Sequence, residues 1–530
     1  MKHTQNRQLD EIFPLCRSII GSERWSSIAT CFAEIPDLES FQQRLIQTGG
    51  LPGFLPELAR LEWSINETSG GNSDVPLEVD RIRINPTLKL LSLSWKNLTL
   101  LLNEGKVVSP PLPEPGEELV LIWKEPGTGK TKIHPASNDD LLALKIVVDN
   151  VEPSQIAHES MVAVGLLDAA VDRAVRNGIL LAPKSLIKRD TPLFLSEENV
   201  SENFLSSYSF TLQWHITQAC DLHCKHCYDR SARSPMTLNQ GIRILSDLYT
   251  FCRDKHVIGG VSFTGGNPLL YPHFTELYRA AAEMGFSLSI LGNPCPQEQM
   301  EEIIAIQQPS HFQVSLEGLP EHNDFIRGSG HFERVTEVLK MLRKMNIFSM
   351  VMLTLTKDNM EQVIPLADLL RNMTDRFHFN RLSMVGEGAN LRLPDKREYV
   401  AFLESYIEAA ERNPIMGLKD NLINIFKYRK GQELFGGCAG YGCGAAFNFL
   451  AVLPDGEVHA CRKFPSPLGN VFRQGIAEIY DSETAKRYRA GCSECSSCAI
   501  RPACGGCLAS AYSHGLNIFE EKDPFCFMTN

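Results

Sequence analysis

The chain has 530 residues, 43% of them hydrophobic and 22% charged, enough for several domains with cores of their own. Its 52 Lys and Arg against 63 Asp and Glu leave a net charge of −11, which argues against a nucleic-acid partner and an anionic membrane surface. No run of 18 apolar residues occurs, so no transmembrane helix is expected.

The first residues are polar and partly acidic and do not read as a secretion signal. The 16 cysteines are therefore not expected as a disulfide framework, and the twelve clustered ones read as metal ligands in a reducing cytoplasm. Cys16, Cys31, Cys252 and Cys295 are scattered singly and read as small buried hydrophobes.

In chain order, residues 1–79 read as a helical region with Phe41, Leu45 and Leu51 on an apolar stripe, ending in a polar loop from Asn66 to Asp74. No chemistry is assigned to it. Residues 80–195 read as a separate, winged-helix-like module. Leu88 to Leu102 reads as strand, and Leu119–Trp123 and Thr131–His134 flank a turn, forming a hairpin. Three helices follow. The first starts at Ser137, with Asp140 three residues on; the second opens at Pro153; the third runs from Val164 to Arg176 and stops at Asn177-Gly178. Ile179 to Leu181 is expected to return as a wing. The third helix carries Asp168, Asp172, Arg173 and Arg176 and is nearly neutral, a poor footprint for phosphate. Peptide binding, a structural role and DNA binding stay open here, in that order. The segment Gly127-Thr-Gly-Lys-Thr131 is not a phosphate loop, because Lys124 stands where the pattern needs its first glycine.

From residue 205 to 400 strand and helix patterns alternate. Strands are expected at Phe210–Ile216, Gly259–Phe263, Phe286–Leu291, Phe312–Leu316, Phe348–Leu355 and Phe377–Leu382, with amphipathic helices such as Phe274–Met284 between them. The expected class is α/β, a partial (β/α)6 TIM-like barrel, whose chemistry sits at the C-terminal ends of the strands. Residues 401–434 read as a helical bridge, and 435–530 as a cysteine-rich domain.

Cys220, Cys224 and Cys227 follow the first barrel strand. Three thiolates so spaced fold round one small object and leave a fourth position open, as on a [4Fe–4S] cube with one free iron. Zinc, with His223 or His226 as fourth ligand, fits the spacing equally well. A loop at the catalytic end of the barrel is, however, a poor place for a purely structural zinc.

With its trailing Tyr228, this loop resembles that of the radical S-adenosylmethionine (SAM) superfamily. Thr264-Gly265-Gly266-Asn267-Pro268 resembles the family's Gly-Gly-Glu-Pro motif, with Asn for Glu, and Val314-Ser315-Leu316-Glu317-Gly318 its Ser-Leu-Asp-Gly stretch. Gly292-Asn293, Arg327-Gly328, Asn380-Arg381 and Gly386-Glu387-Gly388 also match segments of relatives. The resemblance implies a cluster on Cys220, Cys224 and Cys227. It implies SAM contacts from Tyr228, Gly265, Gly266, Asn267, Pro268, Asn293, Ser315, Arg327 and Leu355, and reductive cleavage of SAM to a 5′-deoxyadenosyl radical. Glu317, Arg327 and Arg381 read equally as structural polar residues.

The last segment resembles the SPASM domain, with Cys443, the run Asp455-Gly456 before Cys461, then Cys495-x2-Cys498-x5-Cys504-x2-Cys507 and Cys526. Its final close pair is spaced by two residues where the family has three. By resemblance, Cys438, Cys443, Cys461 and Cys507 would hold one auxiliary [4Fe–4S] cluster. Cys495, Cys498, Cys504 and Cys526 would hold another, for three clusters in all, with Cys492 left over. Paired Cys-x2-Cys spacing by itself also fits two zinc ribbons.

The resemblance, with the order of elements in the N-terminal module, implies a radical SAM/SPASM maturase that modifies a ribosomally made peptide, forming a thioether or other crosslink. The 80–195 module would take the leader by strand addition, and a flavodoxin or ferredoxin would supply electrons. A formylglycine-making sulfatase-type maturase and a non-catalytic zinc or iron–sulfur scaffold are the alternatives.

Overall fold

The run Val120-Leu121-Ile122-Trp123 is apolar at every position, which a strand accepts only when both of its faces are covered. The computed structural model, which describes residues 9–32, 37–71, 74–102, 112–194 and 202–528, shows how. The chain divides into two units, residues 1–184 and 185–530. The first holds β1 (Arg83–Ile84), β2 (Lys89–Lys96), β3 (Glu114–Lys124), β4 (Thr131–Pro135) and β5 (Leu180–Leu181). β3 is the middle of an antiparallel sheet ordered β2-β3-β4. Val120 and Ile122 enter one core, Leu121 and Trp123 another.

The first core is built by helices Pro14–Ile20, Ser22–Ala29, Leu38–Gln47 and Leu55–Gly70. Phe13 and Phe41 stack in it at 4.2 Å. Buried Glu62 accepts from the backbone N–H of Leu15 and Cys16 at 2.6 and 3.1 Å, filling the open donors at a helix start. The N-terminal helices are thus not a body of their own, since they share this core with the sheet. The second core comes from helices Asn138–Asp149, Pro153–Ser160 and Val164–Arg176. Ser137 and Asp140 form a reciprocal capping box at the first of these, as expected.

Four local expectations need correction. Asn66 to Gly70 is helical, because Leu55–Gly70 continues through it; positions 72–73 of the expected loop lie outside the described residues. The strand expected to reach Leu102 stops at Lys96, where Asn97 takes a left-handed φ of 67° and starts the short helix Leu98–Leu101. β5 does not form a wing on the hairpin but pairs with β1. Asn85 draws the two ends together by donating to the carbonyls of Lys124 and Gly178 at 2.9 and 2.8 Å. Cys31 is exposed rather than buried.

The second unit carries β6 (Ser209–Thr217), β7 (Ile258–Gly265), β8 (Ser287–Leu291), β9 (His311–Ser315), β10 (Ser349–Leu355), β11 (Arg376–Arg381), β12 (Phe449–Val452), β13 (Glu457–His459) and β14 (Pro467–Asn470). The sheet order is β11-β10-β9-β8-β7-β6-β12-β13-β14, parallel from β11 to β12 and antiparallel beyond. The six strands expected for the barrel are all present. Phe210, Leu212, Trp214 and their counterparts on the other strands pack in one large core with the helices. Alternation turns Gln213, Ser262, Ser289, Gln313 and Asn380 to the opposite, lumenal face; Ser262 and Ser289 hydrogen-bond there at 2.7 Å. The C-terminal segment is not an appendage, because β12 continues the barrel sheet beside β6.

Replacing Ser137 with Ala removes its cap bond and is expected to cost about 1 kcal/mol, read as a lower denaturation midpoint by tryptophan fluorescence, to which the first unit contributes Trp25, Trp63, Trp95 and Trp123.

Candidate functional site

Cys220, Cys224 and Cys227 lie on a loop that leaves the C-terminal end of β6 and has little secondary structure of its own. Its shape is imposed by neighbours. Gly266 donates to the Thr217 carbonyl at 2.9 Å and Asn267 to that of Ala219 at 2.7 Å. A Cβ on Gly265 would stand 2.3 Å from the Thr217 oxygen, and one on Gly266 2.2 Å from that of Ala219. The paired glycines therefore let the end of β7 close onto the cysteine loop.

Asp221, inside the cysteine motif, organises two of the expected contacts. Its carboxylate accepts from Asn267 at 3.0 Å and from Asn293 at 2.7 Å. The Asn293 amide also lies 3.6 Å from the Cys220 sulfur. Motif matching missed Asp221; an acid between ligand cysteines was the available signal.

On the other side Glu317 and Arg327 make a buried pair at 2.6 Å. Glu317 also accepts from the Thr354 N–H at 2.7 Å, and a third Arg327 nitrogen points at the Cys224 sulfur at 3.6 Å. Burial alone would raise the Glu317 carboxyl, yet His226, Arg327 and the Thr354 N–H hold it below its usual range. Burial holds His226 down to about 4, and its Nδ1 has no partner among the described residues.

The Tyr228 hydroxyl and His215 Nε2 share a hydrogen bond at 3.2 Å. Burial pushes Tyr228 up to about 12 and pulls His215 down to about 3, so both are neutral. Ser315 ends β9 on the lumenal face, and Pro268 is buried at the start of the short turn after Asn267. Leu355 is not brought to this site; it is 1% exposed among the core residues on the helix side of β10.

The C-terminal cysteines fall into two groups. Cys438, Cys443, Cys461 and Cys507 line one pocket with Lys419 and Arg381. Cys495, Cys498, Cys504 and Cys526 line a second with Leu422, Ile425 and Arg501. The groups are stitched together: Cys443 donates to the Cys504 carbonyl at 3.1 Å. Asn421 accepts from the Cys438 N–H at 2.6 Å and donates to the Gly506 carbonyl at 2.5 Å. Cys492 is buried beside Cys495 in a third pocket that Cys443 also lines. A hydrogen bond between the two thiols lowers Cys492 and raises Cys495.

Arg381, at the end of β11, ties barrel and cysteine domain. Two of its nitrogens donate to Asp523 at 2.8 and 2.7 Å, and its Nε pairs with Asp420 at 2.8 Å. Asp523 in turn accepts from the Cys507 N–H at 2.9 Å.

The donors fit iron–sulfur clusters. Both four-cysteine pockets offer sulfur as the ligand atom, and burial pushes Cys443 to about 12 and Cys461 to about 11, so these stay neutral thiols until a metal takes their protons. Among the described residues no three His, Cys, Asp or Glu side chains close on one point as a single metal ion requires. The three-thiol loop, the unpartnered His226 Nδ1 and the strand ends around them fit a group held at the barrel mouth.

Residues 214–370 match the radical SAM superfamily, and residues 443–507 match the SPASM iron–sulfur cluster-binding domain, leaving Cys438 and Cys526 just outside. The chain is 26% identical over 322 residues to the antilisterial bacteriocin subtilosin biosynthesis protein AlbA of Bacillus subtilis, covering 57% of this chain and 67% of that one. It is 25% identical over 341 residues to the AdoMet-dependent heme synthase of Methanosarcina barkeri, covering 59% and 95%. Its fold is similar to the crystal structure of Streptococcus suis SuiB bound to precursor peptide SuiA, with a TM-score of 0.51 at 18% identity, covering 77% and 96%.

Arg381→Leu leaves Asp420 and Asp523 buried without their cation. The expected cost is about 3–5 kcal/mol, read as a lower thermal midpoint and as lost iron from both C-terminal pockets.

Proposed function

We propose that this radical SAM/SPASM enzyme modifies a ribosomally made precursor peptide, forming a thioether or other crosslink. The observation that carries the reading is the sorting of thiols: three at the catalytic end of the barrel, and two sets of four in adjoining pockets of the same unit. Iron–sulfur clusters and SAM follow from the two domains; we assign one [4Fe–4S] cluster to each group of thiols, three in all. The relative that takes part in making a bacteriocin and the similar structure that holds a precursor peptide support a peptide substrate.

When bound, the first cluster and SAM supply one-electron cleavage of SAM and abstraction of a substrate hydrogen atom. This chain's residues position and shield that chemistry. Cys220, Cys224 and Cys227 are the ligands of the first cluster. Asp221, through Asn267 and Asn293, and Glu317, through Arg327, keep the loop in one shape. Tyr228 and His215 close the wall behind it without carrying charge. Gly265, Gly266, Asn267, Pro268, Asn293, Ser315 and Arg327 surround the place assigned to SAM. Leu355 is left out of that set because of its burial.

In the first unit β4 is an edge strand of the β2-β3-β4 sheet among the described residues, and a leader peptide would add beside it as a further strand. Electrons come from a flavodoxin or ferredoxin, and the compartment is the cytoplasm. No helix among the described residues is long and apolar enough to cross a membrane. Sulfatase-type and scaffold readings have less support. The heme synthase relative favours a second reading, a tetrapyrrole substrate.

Anaerobic reconstitution is expected to give brown protein with about 12 irons per chain, four to each cluster, that cleaves SAM once reduced. Cys220→Ala should lose about four of those irons and all cleavage while the auxiliary clusters remain. A colourless zinc protein that leaves SAM intact would sink the reading.

A peptide encoded beside this chain is expected to bind the full-length enzyme in calorimetry, and loss of its leader should weaken binding about tenfold or more. Binding unchanged by leader removal would count against the role of the first unit; conversion of a tetrapyrrole would favour the second reading.

A further inference from the structure

A cavity of about 210 Å³ runs along the seam between β6 and β11, the first and last barrel strands, which do not pair. Gln213 and Asn380 line it from the two strands, and Lys419, Arg462 and Lys463 add three cations. No carboxylate lines it among the described residues. Elsewhere in this unit Arg327 is matched by Glu317 at 2.6 Å and Arg381 by Asp420 and Asp523 at 2.8 and 2.7 Å, while buried Arg189 and Arg501 are met by backbone carbonyls. Among the described residues the seam cations have no matching acid: Arg462 reaches only the Thr264 hydroxyl at 3.5 Å, and Lys463 only the Arg381 carbonyl at 3.4 Å. Lys419 has no hydrogen bond or ion pair among the described residues.

The three seam cations are partly buried and share one cavity with no protein acid, so they repel one another, and an anion that joins them is favoured. Amides that donate, in a polar lumen, suit a carboxylate better than a hydrophobic side chain. The pocket is also close to the reacting centre, since Thr264, which Arg462 contacts, immediately precedes the glycines that hold the cysteine loop.

We propose that this seam pocket holds an acidic side chain of the substrate peptide and so sets which residue is presented for reaction. The proposal rests on the peptide-modifying reading above. Two other anions meet the same chemistry, the carboxylate of SAM and the cluster on Cys438 and Cys461, whose thiols share the wall.

The test uses the reconstituted full-length enzyme, anaerobic and saturated with SAM. The probes are acetyl-Gly-Gly-Glu-Gly-Gly-amide and its Gln counterpart, compared by calorimetry. The Glu peptide is expected to bind about tenfold or more tightly than the Gln peptide, the scale of one charge-assisted hydrogen bond. Lys419→Gln and Lys463→Gln should each remove most of that preference, while Lys419→Arg keeps it, and SAM affinity and iron content stay unchanged throughout. Equal binding of the two peptides by the parent enzyme overturns the inference and leaves the peptide reading standing. A preference lost together with SAM affinity assigns the cations to SAM and overturns it. Loss of iron in both Gln variants assigns them to the cluster and overturns it equally. If neither peptide binds while SAM is still cleaved, the inference falls together with the peptide reading.

Discussion

One buried guanidinium holds the catalytic unit together. Arg381 sits at the end of the last barrel strand, 6% exposed, with Asp420 from the bridge and Asp523 from the C-terminal tail closing round it. The rings of Tyr399 and Phe525 flank it at 5.5 and 5.7 Å. Three charges removed from water carry a large desolvation cost, and only near-ideal geometry offsets it. Here every guanidinium edge is used, two nitrogens on one acid and the third on the other. Asp523 also accepts the Cys507 N–H, and the Asp523 carbonyl accepts that of Cys526. A single cation thereby fixes a cysteine of each auxiliary pocket against the barrel.

The mouth of the barrel works by a related principle. A loop with three thiols and no helix or strand of its own takes much of its shape from its neighbours. In a parallel sheet all strands end on the same side, so successive strand ends reach one loop. The segment after β7 holds it through backbone bonds and Asn267, the segment after β8 through Asn293, and the segment after β9 through Glu317 and Arg327. Beyond β11, Glu387 donates to the Cys227 carbonyl at 2.9 Å, and a Cβ on Gly386 would stand 2.7 Å from that same oxygen. The motif glycines thus act first on the chain's own backbone, and the position of the thiols follows from the sheet.

Much of this was legible in the sequence, and the reasons for success and failure are physical. The barrel strands were readable because buried parallel strands are long apolar runs bounded by turn residues. The Ser137–Asp140 cap was readable because capping is local. The helix running on to Gly70 was not, since Asn66 and Gly70 are poor helix formers held by packing of Leu58 and Leu61. Pairing of β5 with β1 depends on Asn85, almost a hundred residues away, which no local pattern encodes. The grouping of cysteines four and four came only through a resemblance, because spacing alone also fits zinc ribbons. Arg381 was left open between function and structure; its partners lie 39 and 142 residues distant, beyond any window of periodicity.

Overall charge is the least informative number about the site. A chain of net charge −11 encloses a barrel seam whose ionic side chains are all basic. The acids of the interior are already committed: Glu317 to Arg327, and Asp420 and Asp523 to Arg381. The surface carries the excess of carboxylates, where water screens them. Burial, with Lys463 and Arg462 nearby, lowers Lys419 to about 8 against the opposing thiols of Cys438 and Cys461. An overall excess of carboxylates and a basic seam lining are two properties that composition adds together and the fold separates.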